Sequence, residues 1–115
     1  MAFPQVAGTA TSVEASATTS HTVSLPSSIV SGELLVVWFG VEHSSDSTIA
    51  WPGGWTELDE TFSTDVEGAV AYRIASGSEG STITVTTGQS QKSGHIAYRI
   101  SGTSGNAPEI EVNAA

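Results

Sequence analysis

The chain has 115 residues, with twelve acids against three bases, a net charge of −9 and a sequence pI near 4.4. That length is one domain's worth of chain, and the acidity argues against binding nucleic-acid phosphates or an anionic membrane surface. With no cysteine, disulfides and thiolate metal sites are excluded.

Read in chain order, the opening "VAGTATSVEASATTS" is rich in Ala, Thr and Ser and weakly patterned. Residues 1–19 therefore read as an edge strand or as an arm that orders on contact. "HTVSLP" alternates at Val23 and Leu25 until Pro26 stops it. "SSIVSG" turns the chain. "GELLVVWFGVE" is a continuous apolar run of strand length, which predicts a central strand buried on both faces, with Trp38 in the core. Its apolar stretch, Leu34 to Phe39, is far too short to span a bilayer. "HSSDST" is a polar loop, and Pro52-Gly53-Gly54 punctuates a turn.

"WTELDETF" alternates next, with Trp55, Glu57, Asp59 and Thr61 on one face and Thr56, Leu58, Glu60 and Phe62 on the other. "AVAYRIAS" follows a polar turn and predicts Val70, Tyr72 and Ile74 inward, with Ala69, Ala71 and Arg73 outward. "GSEG" turns again, and "STITVTT" puts Ile83 and Val85 inward and its threonines outward. "GQSQKSG" reads as a loop. "HIAYRIS" then repeats the Ala-Tyr-Arg-Ile motif, with Ile96, Tyr98 and Ile100 inward and His95, Ala97 and Arg99 outward. "EIEV", within a tail of residues 106–115, predicts a last short strand.

Helical periodicity is almost absent. About eight strands with turn signals every 8–12 residues predict an all-β fold, a jelly-roll-like or immunoglobulin-like antiparallel β-sandwich over residues 20–105. "MAFPQV" has neither the basic nor the apolar region of a secretory signal, so synthesis in the cytoplasm is expected.

Few residues point to chemistry. His21, His43 and His95 lie on separate segments without metal-ligand spacing and read as isolated surface histidines. No serine-nucleophile motif occurs. Five carboxylates between Glu57 and Glu67 lack the calcium-loop pattern and read as a solvated acidic edge. No catalytic residue, metal or cofactor is expected. Two readings stand for Arg73 and Arg99. They blunt the acidic surface of neighbouring strands, or they anchor carboxylates of another subunit through bidentate pairing. Phe3 and Val6, in the N-terminal stretch, are the apolar candidates for the same interface. Trp51 and Trp55 flank the "PGG" turn, and either seal one end of the core or offer flat rings to a sugar.

The order of several short motifs resembles a module common in tailed-bacteriophage structural proteins. The residues are Pro26, Gly32-Glu33-Leu34-Leu35, Gly54-Trp55-Thr56, Tyr72-Arg73, Thr82 to Thr86 and Ser101-Gly102, spread over about residues 20–105. The resemblance implies a virion component: a capsid decoration (cement) protein or a tail or fibre module. A small chain fits decoration of the head. The implied partners are the major capsid protein and neighbouring decoration subunits, in a homotrimer or otherwise, and the implied location is the capsid surface. The alternative is a carbohydrate- or receptor-binding module of a tail or fibre protein, using Trp51 and Trp55.

Overall fold

The computed structural model describes residues 4–42, 48–63 and 65–103. Among these the protein is all-β, as expected. Six strands are present: β1 Gln5–Ser24, β2 Leu34–Glu42, β3 Ile49–Ala50, β4 Thr56–Phe62, β5 Val66–Ile74 and β6 Thr82–Ser101. They form one antiparallel sheet in the order β1-β6-β2-β5-β4, with the short β3 also paired to β6. Two expected boundaries vanish. "GQSQKSG" is strand rather than loop, so β6 runs unbroken through both segments assigned to separate strands. β1 likewise joins the N-terminal stretch to "HTVS", across the expected boundary at residue 19. The expected "EIEV" strand and Phe3 lie outside the described residues.

The sheet centre accounts for the repeat. Strands β5 and β6 flank β2, and each Ala-Tyr-Arg-Ile segment pairs with Leu34–Val37 in the same register. Val37 faces Ala71 and Ala97, Val36 faces Tyr72 and Tyr98, Leu35 faces Arg73 and Arg99, and Leu34 faces Ile74 and Ile100. Alternation separates two faces correctly, but the expected orientation is reversed. The face carrying Leu35, Val37, Phe39, Val41, Ala69, Ala71 and Ala97 is the buried one, and both arginines lie on it. Tyr72, Tyr98, Ile96 and Ile100 line the opposite face. Small alanines beside β2 leave room there for large side chains from across the core.

Those side chains come from the far half of the long β1–β6 ribbon. The ribbon bends where its register shifts between Glu14 and Ser20. Beyond the bend, the Ser24 amide donates to Ser12 Oγ (3.0 Å) and the Thr22 amide to Glu14 Oε1 (3.1 Å), so β1 folds back on itself. Val23 and Val85 are thereby laid against Val37, Phe39, Val41 and Ala97, with Leu25 and Ile49 closing the cluster. Ile83 packs beside it, inward as expected. Truncating a fully buried aromatic such as Phe39 costs about 3–5 kcal/mol.

Two further expectations change. The outer face of β2 is covered at its start, where Leu34 is buried, but Trp38 further along it is 46% exposed rather than in the core, beside a buried Val70. β4 carries a register shift between Glu57 and Asp59. This bulge at Leu58 puts Glu57 and Glu60 on the inner side and Asp59 and Thr61 on the outer side, where strict alternation had grouped Glu57 with Asp59.

Candidate functional site

Two of the three histidines are buried, against the surface position expected for them: His21 is fully covered and His95 nearly so. Their strands bring them together with serines into one hydrogen-bonded chain. Ser12 Oγ lies 2.7 Å from His95 Nδ1, and Ser93 Oγ lies 2.6 Å from His95 Nε2 and 2.6 Å from His21 Nδ1. His21 Nε2 lies 3.0 Å from Thr87 Oγ1, whose hydroxyl donates to the Gln89 carbonyl at 2.7 Å.

The two ends of this chain fix its direction. Because Thr87 donates to a carbonyl, it accepts from His21 Nε2–H. Then His21 Nδ1 accepts from Ser93, Ser93 accepts from His95 Nε2–H, and His95 Nδ1 accepts from Ser12, which itself accepts the Ser24 amide. Every donor meets an acceptor with both imidazoles neutral and protonated on Nε2. Burial holds both below the usual histidine value; for His95 the neighbouring His21 adds to this, and in both Glu14 opposes it. Phe39 fills the space between the rings, stacked on His95 (5.2 Å, 7°) and edge-on to His21 (5.2 Å). With all four ring nitrogens engaged, neither histidine has a lone pair left for a metal, and no metal-binding group of three ligands occurs among the described residues.

The carboxylates of β4 and β5 form a second inner cluster. Glu60 shares hydrogen bonds with Glu57 and Glu67, and burial together with those two charges raises it to about 7. Trp51 Nε1 donates to Glu57 Oε1 (2.9 Å). The bulge at Leu58 brings Glu57 and Glu60 to one side of an edge strand where both stay exposed, as expected of an acidic edge, and Glu67 of β5 is the buried exception.

Both arginines close on carboxylates of their own chain. Arg99 Nη1 reaches Glu33 Oε2 (2.9 Å), and Nη2 donates to the Ala7 carbonyl (3.0 Å). Arg73 Nε lies 2.8 Å from Glu79 Oε2, a close ion contact rather than an aligned hydrogen bond. Burial alone would raise the Glu79 carboxyl. The Ser76 and Gly77 amides and the Ser76 hydroxyl outweigh it and hold Glu79 below the ordinary range.

The open face of the sheet is different in kind. Gly94, Gly40 and Gly68 stand side by side on β6, β2 and β5. Val13 of β1 and Thr61 of β4 continue this row at its two ends. The adjacent row reads Thr11, Ile96, Trp38, Val70, Asp59. Together they make a glycine-floored trough of about 540 Å³, in which Asp59 is the one carboxylate among the lining residues. Trp38, Ile96 (39% exposed) and Val13 (71%) present apolar surface to solvent along it.

The sequence-predicted residues are therefore dispersed. Arg73 and Arg99 share one row of the inner face. Val6 is 59% exposed on β1 opposite Ile100. Trp51 and Trp55 stack on each other (6.5 Å, 24°), and Trp51 also meets the edge of Phe39 (6.1 Å), packing both indoles against the core. Sequence reasoning missed Ser12, Ser93 and Thr87 as partners of the histidines, and the trough around Trp38. The period of two that placed Val23 and Leu25 inward also places His21 inward, so the first of these was within reach. No family model, curated protein or solved structure matches this chain.

Proposed function

We propose that this protein is an adhesive structural module, a capsid decoration protein that binds the outer surface of a phage head and joins adjacent shell subunits. In this reading the bent β1–β6 ribbon lying over β2 and β5 makes a jelly-roll-like sandwich, and the major capsid protein is the partner. The observation that carries the reading is the free edge of β1. Between its register shifts, Gly8 to Glu14 pairs evenly with Arg99 to Ser93, and among the described residues nothing pairs with the other side of the strand. Glu14 is the one carboxylate or ammonium-type charge in the whole strand. Edge strands ordinarily carry lysine, proline or inward charge to prevent pairing. This stretch has none of the first two and is suited to adding its backbone to a neighbour's sheet.

The test is co-sedimentation with particles, combined with proline substitution along Gly8–Glu14. Proline at positions whose N–H points away from β6 removes no ladder bond. Those variants should keep the wild-type melting temperature and lose the particles. The wild-type protein should be present at a fixed copy number per shell subunit. Absence from particles, or only a few copies on each, rejects the decoration role.

A further inference from the structure

None of the three trough glycines is needed by the fold. None has a positive φ. A Cβ at Gly94 would meet nothing within 4 Å, and at Gly40 and Gly68 it would make ordinary contacts of 3.9 and 3.8 Å with carbonyl oxygens. Glycine inside a strand loses packing and costs backbone entropy, and it commonly marks close approach by another group. Here three occur in register on three adjacent strands, beside a row in which Trp38 and Ile96 are exposed.

We propose that two copies of this chain pack face to face through this trough, as an isologous dimer. The pattern is self-complementary, as a twofold interface requires. Along β2, Trp38 precedes Gly40 by two positions; along the antiparallel β5 and β6, Val70 and Ile96 follow Gly68 and Gly94 by two. A twofold axis parallel to the rows, passing above Phe39, reverses the strand direction and keeps each strand over its equivalent. One operation therefore sets Trp38 over Gly40 of the second copy and Ile96 over its Gly94, while Val70, already buried within each copy, adds no projecting side chain. The same operation brings the Asp59 carboxylate to the second copy's Thr61 hydroxyl, a donor it can accept from.

Self-complementary register and low charge select a second copy, and the area sets its strength. Leu34 is already covered on this face, so five strands at about 4.8 Å spacing, by Val36–Glu42 at about 3.3 Å per residue, give roughly 400–450 Å² per copy. The pair then buries about 800–900 Å², the size of a weak, reversible association. Two chains of charge −9 repel, and the trough, with Asp59 its single carboxylate, lets them approach. The dimer leaves the Gly8–Glu14 edge of β1 open, so it does not depend on the proposed attachment to a shell.

Sedimentation equilibrium over a concentration series should give twice the 11.8 kDa chain mass, with association tightening as salt screens the mutual repulsion. Trp38→Ala and Gly40→Val should each weaken association about 30-fold or more. Gly40→Val should do so without lowering the melting temperature, since the fold has room for the side chain. Mixing the two variants is the decisive arm. In the mixed pair the alanine introduced in one copy opposes the valine introduced in the other, and the remaining Trp38 opposes the remaining Gly40. A heterodimer should therefore form where neither variant pairs with itself. A wild-type protein that stays monomeric at high concentration and salt overturns the proposal. So does a Gly40→Val variant that still dimerises, or a mixture that fails to associate.

Discussion

Arg73 and Arg99 occupy one cross-strand row, on either flank of Leu35, and each meets a glutamate supplied by a neighbouring loop or turn. The Ala-Tyr-Arg-Ile repeat is thus the signature of two strands that border the same partner in matching register. The two arginines differ in what their loss would expose. Both glutamate side chains are buried, but Glu33 has one donor besides Arg99, the Val30 amide (2.7 Å), whereas Glu79 has the Ser76 and Gly77 amides and the Ser76 hydroxyl. Arg99→Met leaves the Glu33 carboxylate buried without its cation and should cost about 3 kcal/mol. Arg73→Met should cost about 1 kcal/mol, because Glu79 keeps its amide and hydroxyl donors. Urea unfolding of both variants checks the order, and equal losses would count against it.

The Ser93 hydroxyl bridges two buried imidazoles. Ser93→Ala leaves His95 Nε2–H without an acceptor and His21 Nδ1 without a donor, which should cost about 2–4 kcal/mol. Nitrogen-15 NMR of the imidazoles at neutral pH should show both protonated on Nε2. A proton on Nδ1 of either ring would mean that the chain runs in the other direction.

Stability should fall with acid through the same pair. Both histidines have folded values lowered from 6.5. Between that folded value and 6.5 the unfolded chain binds more protons, so stability rises with pH there. The contribution is complete above about 6.5 and is lost as pH falls through the folded values. Thermal melts from pH 7 downward should show this loss, and it should diminish in a His21→Gln, His95→Gln double variant.

Glu60 contributes with the opposite sign. Its folded value of about 7 exceeds its ordinary 4.5. Between those values the folded chain holds the extra proton, so stability falls as pH rises across the window. Glu60→Gln removes the penalty. The variant should be more stable than wild type at pH 8 and indistinguishable from it near pH 4. A gain of equal size at both pH values would mean that the effect is not ionisation.

Gly54 has a φ of 91°, and a Cβ there would come within 2.5 Å of Arg73 Nη1. It occupies the third position of the turn closed by the Trp55 amide on the Pro52 carbonyl (3.3 Å). Gly54→Ala should destabilise by about 1–3 kcal/mol through backbone strain and displacement of the guanidinium. Combining it with Arg73→Ala should recover the second part only, which a double-mutant cycle measures.

Strand composition and most turns were legible in the sequence because period two and Gly or Pro punctuation are local, but the glycines of "GQSQKSG" signalled a loop where β6 continues. The inward positions of Val23, Leu25, Ile83 and Val85 followed from the same rule. Which face of Val70–Ile74 turns inward was not legible. Alternation is symmetric, and the choice was made by Val23 and Val85 arriving from a distant ribbon to pack over alanines. The Leu58 bulge was hidden for a related reason, since one extra residue in one strand is visible only against its partner. The histidine–serine chain required the pairing of β1 with β6 before Ser12 and His95 could be seen as neighbours. Gly40, Gly68 and Gly94 each look like an ordinary strand glycine until the register sets them side by side.

The pairing of Gln5 with Ser101 has a consequence for biogenesis. β1 cannot find its place until β6 has left the ribosome. During synthesis that segment waits with both edges unsatisfied, protected only by its lack of large apolar side chains. Closing so long a loop is slow, and the abundance of Thr, Ser and Ala in β1 is suited to surviving the wait without premature association.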